Sequence, residues 1–264
     1  MKKYILILKV SFTSFVSYRV SLVVRLIRDV LMTSFFLFIW SVLFKQKQLV
    51  GGYDFNSMIT YYIVARIIDQ LYTLDPSKVI AEDVTTGGLS THLIKPYHYL
   101  GYMWGRAVGR RLARTLPSLL LVISVFTIFH SSLVFPNSIS QAVLFIISVI
   151  LAWILMFEIA IFVGETSFWI SKISGINSAI NQTVLLLGGM WAPISLFSPL
   201  AQKIMGYLPF QYLYFHPIQI YQNKINISTA LHGLGIETIW ILIIGILTIA
   251  LWRKGVRHYE AYGN

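Results

Sequence analysis

A few ionisable residues lie inside long apolar segments of the chain, where such residues often have a function. Arg66 and Asp69 are three positions apart, so they would share one face of a helix, and Glu158 lies in a separate apolar segment. Ionisable groups inside a bilayer are costly and commonly functional. Two interpretations stay open: these residues face a translocation path or a helix seam between subunits, or they form an internal ion-pair network. Glu237, at the start of another apolar segment, is expected at the outer interface.

Other chemistries have no support in the sequence. A Walker A sequence, G-x-x-x-x-G-K-[ST], does not occur, since Gly87-Gly88 is followed by leucine and serine, so we expect no ATP hydrolysis by this chain through that route. The six histidines form no short metal-binding pattern, and no credible nucleophile–base pair is present. We therefore predict no catalytic residue, no metal site and no cofactor in this chain.

The composition is that of a membrane protein that crosses the bilayer several times. The chain has 264 residues, of which 56% are hydrophobic and 12% charged, with a mean hydropathy of +0.71. Soluble domains usually carry about 25% charged residues. The net charge of +11 comes from Lys and Arg near the ends of apolar segments, so the sorting of loops across a bilayer explains it without a nucleic-acid partner.

Six apolar segments are predicted to form membrane-spanning helices, which makes the chain one all-α domain over residues 1–264. Their approximate bounds are residues 22–44, 57–74, 117–129, 142–163, 176–191 and 236–252. Basic residues are concentrated on the side that carries both termini, which predicts that both termini are cytoplasmic. Residues 1–19 have apolar and basic faces at helical spacing and are expected to form an interfacial amphipathic helix.

Residues 192–222, on the predicted outer side, are apolar and aromatic. Prolines divide this stretch at Pro193, Pro199, Pro209 and Pro217, and Phe210 follows the third of them. Re-entrant helices packed on protein are one interpretation, because non-helical backbone at membrane depth needs such packing. A hydrophobic loop that caps the bundle is the other.

Residues 75–96 form the most polar and turn-prone stretch on the predicted cytoplasmic side. Asp75-Pro76 predicts a helix start, and Val79, Ile80 and Val84 share one face of that helix. Gly87 or Gly88 would end it by adopting a left-handed backbone, and a second short helix would stop before Lys95-Pro96.

A helix after this stretch carries a run of arginines at helical spacing. They are Arg106, Arg110, Arg111 and Arg114. We expect them to anchor a helix end against anionic lipid, with binding of an acidic substrate as the alternative.

Several short motifs, in this order, resemble those of ABC-2 type transporter permeases, in particular the branch found as paired permeases. Asp83, Gly87, Leu89 and Leu93-Ile94-Lys95-Pro96 are similar to the family signature D-I-x-x-G-x-L-x-x-x-L-L-[KR]-P. Further similarities are Ser167-Phe168-Trp169, Gly188-Gly189 and Leu208-Pro209-Phe210 followed by Pro217. Val84 replaces the usual isoleucine, and Thr85-Thr86 replace a more charged pair.

The resemblance implies the role of a permease subunit that exports a hydrophobic or amphipathic substrate across a bacterial cell membrane. A separate ABC ATPase, in two copies per complex, would bind ATP and Mg, and a second permease copy or a sister permease would complete the complex. The helix between the second and third spans would be the coupling helix. The residues expected to couple to the ATPase are Pro76, Ile80, Glu82, Asp83, Val84, Gly87, Gly88 and Leu89.

Three other functions remain as alternatives. A secondary carrier driven by an ion gradient would use Asp69 and Glu158 as ion sites, although no inverted repeat is present. A membrane-bound transferase would need a His or Glu base. A non-transporting membrane anchor or immunity protein would need neither an ion site nor a catalytic base.

Overall fold

The computed structural model describes residues 6, 9, 10, 19–72, 75–112 and 133–259, and within these residues the regular structure is helical, as predicted. Only an isolated bridge between Val50 and Tyr53 has β-type pairing in that part of the chain. The α-helices are α1 Arg19–Phe44, α2 Phe55–Leu71, α3 Asp75–Thr85, α4 Leu89–Leu93, α5 residues 99–112, α6 Ile139–Glu165, α7 Ser174–Leu187, α8 Pro199–Tyr207, α9 Phe215–Tyr221 and α10 Ile227–His258.

Two of these helices are long and apolar enough to cross a membrane, judged by length and composition. One is α6 with its 3₁₀ extension to Phe168, which has 30 residues and a hydropathy of 2.7, and the other is α10, with 32 residues and a hydropathy of 2.3. The apolar part of α1, Val30–Phe44, is shorter. The predicted third span, 117–129, and most of the predicted interfacial helix, 1–19, lie outside the described residues.

The start of α10 differs from the prediction. The helix begins at Ile227 rather than near residue 236, because the Asn226 side chain caps it by accepting a hydrogen bond of 2.8 Å from the Thr229 N–H. Within this helix, Gly233 lies directly against the His216 ring, in space that a Cβ would fill. Glu237 is therefore inside the helix and fully buried, with Ser148 Oγ donating to it at 3.3 Å, and its position at the outer interface stays a prediction.

The main hydrophobic core surrounds α2, the least apolar of the predicted spans. Met58, Tyr61 and Ile68 of α2 pack with Leu155 of α6 and Tyr214 beside α9. Tyr61 donates a hydrogen bond of 2.6 Å to the Gly189 carbonyl, which satisfies its buried hydroxyl. Protein rather than lipid thus surrounds most of α2, which explains how so polar a segment is accommodated.

Residues 192–222 form short helical pieces, as the prolines predict. Pro193 precedes the 3₁₀ turn Ile194–Leu196, Pro199 opens α8, Pro209 opens the 3₁₀ turn Pro209–Tyr212 and Pro217 lies in the first turn of α9. Phe210, in the second of these 3₁₀ turns, packs against the main core. Leu213, Ile218 and Ile220 are fully buried, so this region packs on the bundle.

Candidate functional site

Helix α3 packs closely along the C-terminal half of α6. Val79, Ile80 and Val84 are buried, and together with Phe157 and Ile161 of α6 they form a second hydrophobic cluster. This cluster also includes Tyr99, Met103 and Ala107 of α5 and receives Trp252 of α10. The amphipathic face predicted from the sequence therefore exists, and its apolar side connects α3 to α5, α6 and α10.

Gly164 of α6 makes this close packing possible. A Cβ added at Gly164 would lie 2.9 Å from Ser77 Cα, which is closer than real contacts allow, and 3.0 Å from Ile80 Cβ. Sequence reasoning missed this residue. The sequence feature that could have revealed it is a single glycine within a long apolar helix, where glycine is unfavourable unless packing requires it.

The break after α3 is at Gly87. This glycine has a φ of +80°, whereas Gly88 is right-handed with a φ of −60°. The Thr86 N–H bonds to the Glu82 carbonyl at 3.0 Å, and α4 follows from Leu89. The sequence offered two glycines as helix terminators, and Gly87 is the one that adopts the left-handed backbone conformation.

A polar and aromatic cluster fixes Asp83 at the junction of α3, α4 and α5. Tyr99 Oη donates a hydrogen bond of 2.6 Å to Asp83 Oδ2, and His92 Nε2 is 3.9 Å from the same oxygen. Tyr97 Oη and His92 Nδ1 are 2.7 Å apart, and the Tyr99 ring stacks on Trp252. Burial lowers the pKa of His92 from 6.5, although the Asp83 carboxylate opposes this, and burial together with Asp83 raises the pKa of Tyr99.

The predicted coupling residues divide into two groups. Pro76, Ile80, Val84 and Leu89 are buried and face the bundle, so they hold α3 and α4 in place. Glu82 is exposed, and Asp83, Gly87 and Gly88 are half-buried. Two exposed residues at the end of α4, Leu93 and Ile94, form a tip that the prediction did not include in this role. Leu93 is 44% exposed and Ile94 is 86% exposed.

Arg66 and Asp69 form the ion pair that their spacing predicts. Arg66 Nη1 lies 3.1 Å from Asp69 Oδ2, and Tyr214 Oη donates to Asp69 Oδ1 at 2.8 Å. Glu158 is not part of this group, because its carboxylate approaches α10 near Gly245.

Arg111 has a different environment from the one predicted. It is buried rather than facing lipid, and its Nη2 donates to the Asp69 carbonyl at 2.9 Å and also to the Tyr72 carbonyl. Arg111 thus binds carbonyl groups at the C-terminal end of α2, where the Asp69 carbonyl also accepts a hydrogen bond from the Tyr72 N–H.

A polar cavity of about 740 Å³ opens between the end of α2, helix α3 and the start of α7. Its wall contains basic, acidic, amide and hydroxyl side chains from several helices. Within the described residues, no cluster of three or more His, Asp or Glu side chains is suited to hold a metal ion. The wall of the cavity is therefore mainly polar.

Comparison with protein families finds a match that covers most of the chain. The model described as ABC-2 family transporter protein matches residues 30–263. Comparison with curated proteins and with solved structures finds no match.

Proposed function

Because the chain belongs to the ABC-2 family of transporter proteins, we propose that it is the membrane-spanning permease subunit of an ATP-driven exporter. In this proposal six helices cross a bacterial cell membrane, both termini are cytoplasmic and the substrate is hydrophobic or amphipathic. A separate ABC ATPase, present in two copies, binds ATP and Mg and supplies the hydrolysis. A second permease copy or a sister permease completes the complex.

The packing of α3 is the observation that supports this proposal best. Its apolar face is fixed to α6 through Ile80 and Gly164, while Glu82 and the Leu93-Ile94 tip are exposed. A partner that pushes on the exposed side would therefore move α3 and α6 as one unit. The resemblance suggested that the motion of the ATPase is transmitted into the second and third spans. The contacts of α3 favour transmission into the fourth span, α6, and the end of α10.

The ion-driven carrier has less support. Asp69 already pairs with Arg66 and accepts a hydrogen bond from Tyr214, so its carboxylate is engaged in the fold. Glu158 is separate from that pair, so the two acids do not form one ion site. The geometry around Asp69 agrees with the packing interpretation of these charges.

Co-purification tests the proposal. The tagged chain would be purified from its native membrane in mild detergent, as the wild type, as Ile94→Glu and as the control Leu49→Glu. Leu49 is 66% exposed in a loop on the predicted outer side, so the control makes the same change away from the tip. We expect a P-loop ATPase to accompany the wild type and the control but not Ile94→Glu. A wild-type chain that purifies alone in every detergent would contradict the proposal.

A further inference from the structure

We propose that the polar cavity between α2, α3 and α7 binds the anionic headgroup of an amphipathic substrate, an inference that rests on the proposed transport function. The cavity is lined by Lys78 and Ala81 of α3, so it lies beside the same helix that carries the exposed tip. Its volume of about 740 Å³ is sufficient for a phosphate- or carboxylate-bearing headgroup.

The charge available in the cavity is positive. Arg28, Lys78 and Lys172 line it from three different elements. Lys78 and Lys172 are exposed, and no ion pair to either of them is found among the residues the structure describes. Two lysines that line one cavity and form no ion pair within the described part of the chain favour an anionic ligand.

The acidic residues of the cavity wall are engaged by other groups. Asp69 pairs with Arg66 and accepts from Tyr214, and Asp75 interacts electrostatically with Arg110. The Arg111 guanidinium donates hydrogen bonds to two backbone carbonyls, so this residue is a structural part of the cavity wall. The acids therefore do not cancel the charge of the two lysines.

Helix α7 contributes hydrogen-bonding groups. Ser174, Ser178 and Asn181 lie at helical spacing on one face and line the cavity, with Gln182 beside them. Asn177 Oδ1 accepts a hydrogen bond of 2.5 Å from Ser77 Oγ, which fixes this face of α7 against α3. Side chains that both donate and accept would bind the oxygen atoms of a headgroup and orient it.

Apolar surface next to the cavity indicates that the ligand also has an apolar part. Val24 and Leu31 of α1 are 61% and 63% exposed, and they lie four positions before and three positions after Arg28. Residues at these spacings are neighbours on one helix surface. A ligand held near Arg28 by its anionic group would therefore have apolar side chains within reach of its tail.

Lipid binding to the purified chain tests this inference. The probe is phosphatidylglycerol in phosphatidylcholine nanodiscs, with retained lipid counted by native mass spectrometry. The Lys78→Gln/Lys172→Gln variant is compared with the control Arg253→Gln/Lys254→Gln, which removes two exposed basic residues from the end of α10, on the same predicted side. We expect a roughly 25-fold loss of phosphatidylglycerol affinity in the cavity variant only, because each of the two lysines beside the bound headgroup contributes about a factor of five.

Further arms complete the test. The charge-preserving Lys78→Arg/Lys172→Arg variant should keep its affinity, and an excess of glycerol 3-phosphate should not displace the lipid. Equal losses in the cavity and control variants, or no loss in either, would overturn the inference. Full displacement by glycerol 3-phosphate would contradict the claim that the ligand also binds through an apolar tail. No ATPase takes part in this measurement. A negative result would therefore overturn only the inference about the cavity, and the co-purification experiment would still test the permease assignment.

Discussion

Gly164 in α6 lies against Ser77 in α3 so closely that an added Cβ would be 2.9 Å from Ser77 Cα. The obstacle would be backbone rather than the end of a flexible side chain, so it could not move aside without displacing α3. This contact therefore fixes the distance between the segment with the exposed tip and one of the two longest apolar helices of the described structure.

We expect Gly164→Ala to loosen the link between α3 and α6. Overpacking of this kind typically costs about 1–3 kcal/mol of stability. In the assembled transporter, ATP hydrolysis should continue while transport falls, because the ATPase would move a helix that no longer moves α6. Thermal unfolding and paired measurements of hydrolysis and transport check this.

Gly175→Ala is the matched control for this change. Gly175 lies in α7, with open space where its Cβ would be. The control should keep both stability and transport. Transport by Gly164→Ala at the wild-type level would contradict a mechanical role for the contact.

The hydrogen bond from Tyr99 to Asp83 should stabilise the junction of α3 and α5. We expect Tyr99→Phe to lower the free energy of unfolding by about 1 kcal/mol, the usual contribution of such a bond. A double-mutant cycle with Asp83→Ala isolates the pair, because each single variant removes the hydrogen bond. A coupling energy of zero would show that the two groups act independently.

Acidification should weaken the cluster around His92. Burial lowers the pKa of His92 from 6.5, so the folded state takes up its proton at a lower pH than the unfolded chain does. The contribution of His92 to stability is therefore complete above pH 6.5 and is lost as the pH falls below that value toward the lower folded-state pKa. We expect unfolding temperatures measured from about pH 8 to about pH 5 to decrease less in His92→Gln than in the wild type.

The exposed His98 provides the control for this pH series. The His98→Gln variant should keep the wild-type dependence on pH, because the change leaves the contacts of His92 with Asp83 and Tyr97 in place. Identical curves for the wild type and His92→Gln would exclude His92 as the source.

Arg111 should be needed for the end of α2. We expect Arg111→Gln to destabilise the protein by about 2–3 kcal/mol, because buried carbonyls of Asp69 and Tyr72 lose a charged donor. Arg253→Gln, an exposed arginine near the end of α10, should change stability by less than about 0.5 kcal/mol. Equal thermal shifts for the two variants would refute the capping role.

Local features of the fold could be predicted from the sequence, because their signals are short-range. The break at Gly87 follows from glycine's access to positive φ, and the Arg66–Asp69 pair follows from helical spacing. The short helices of residues 192–222 follow from the positions of their prolines.

Long-range packing could not be predicted in the same way. The carbonyls that Arg111 binds come from the last turn of α2 and from Tyr72 just after it, about 40 positions earlier in the chain, so no local pattern reveals them. Glu237 is buried by contacts with other helices, such as the one with Ser148 of α6, and the close packing of Gly164 depends on a helix from another part of the chain. The exposed tip at Ile94 was likewise part of a motif, but only the packing of α4 shows which of its residues face outward.

The length of α10 has a consequence for the host membrane. Its 32 residues extend about 48 Å at about 1.5 Å per residue, against a hydrocarbon thickness of about 30 Å. Its last turns pack on the segment that follows α6, since Gly255 lies against Phe168 and His258 stacks on Trp169. A helix longer than the hydrocarbon thickness must tilt or extend beyond it, and its packing partners decide how far it tilts. A change in bilayer thickness would therefore act on α10 and, through these contacts, on the segment beside which α3 packs.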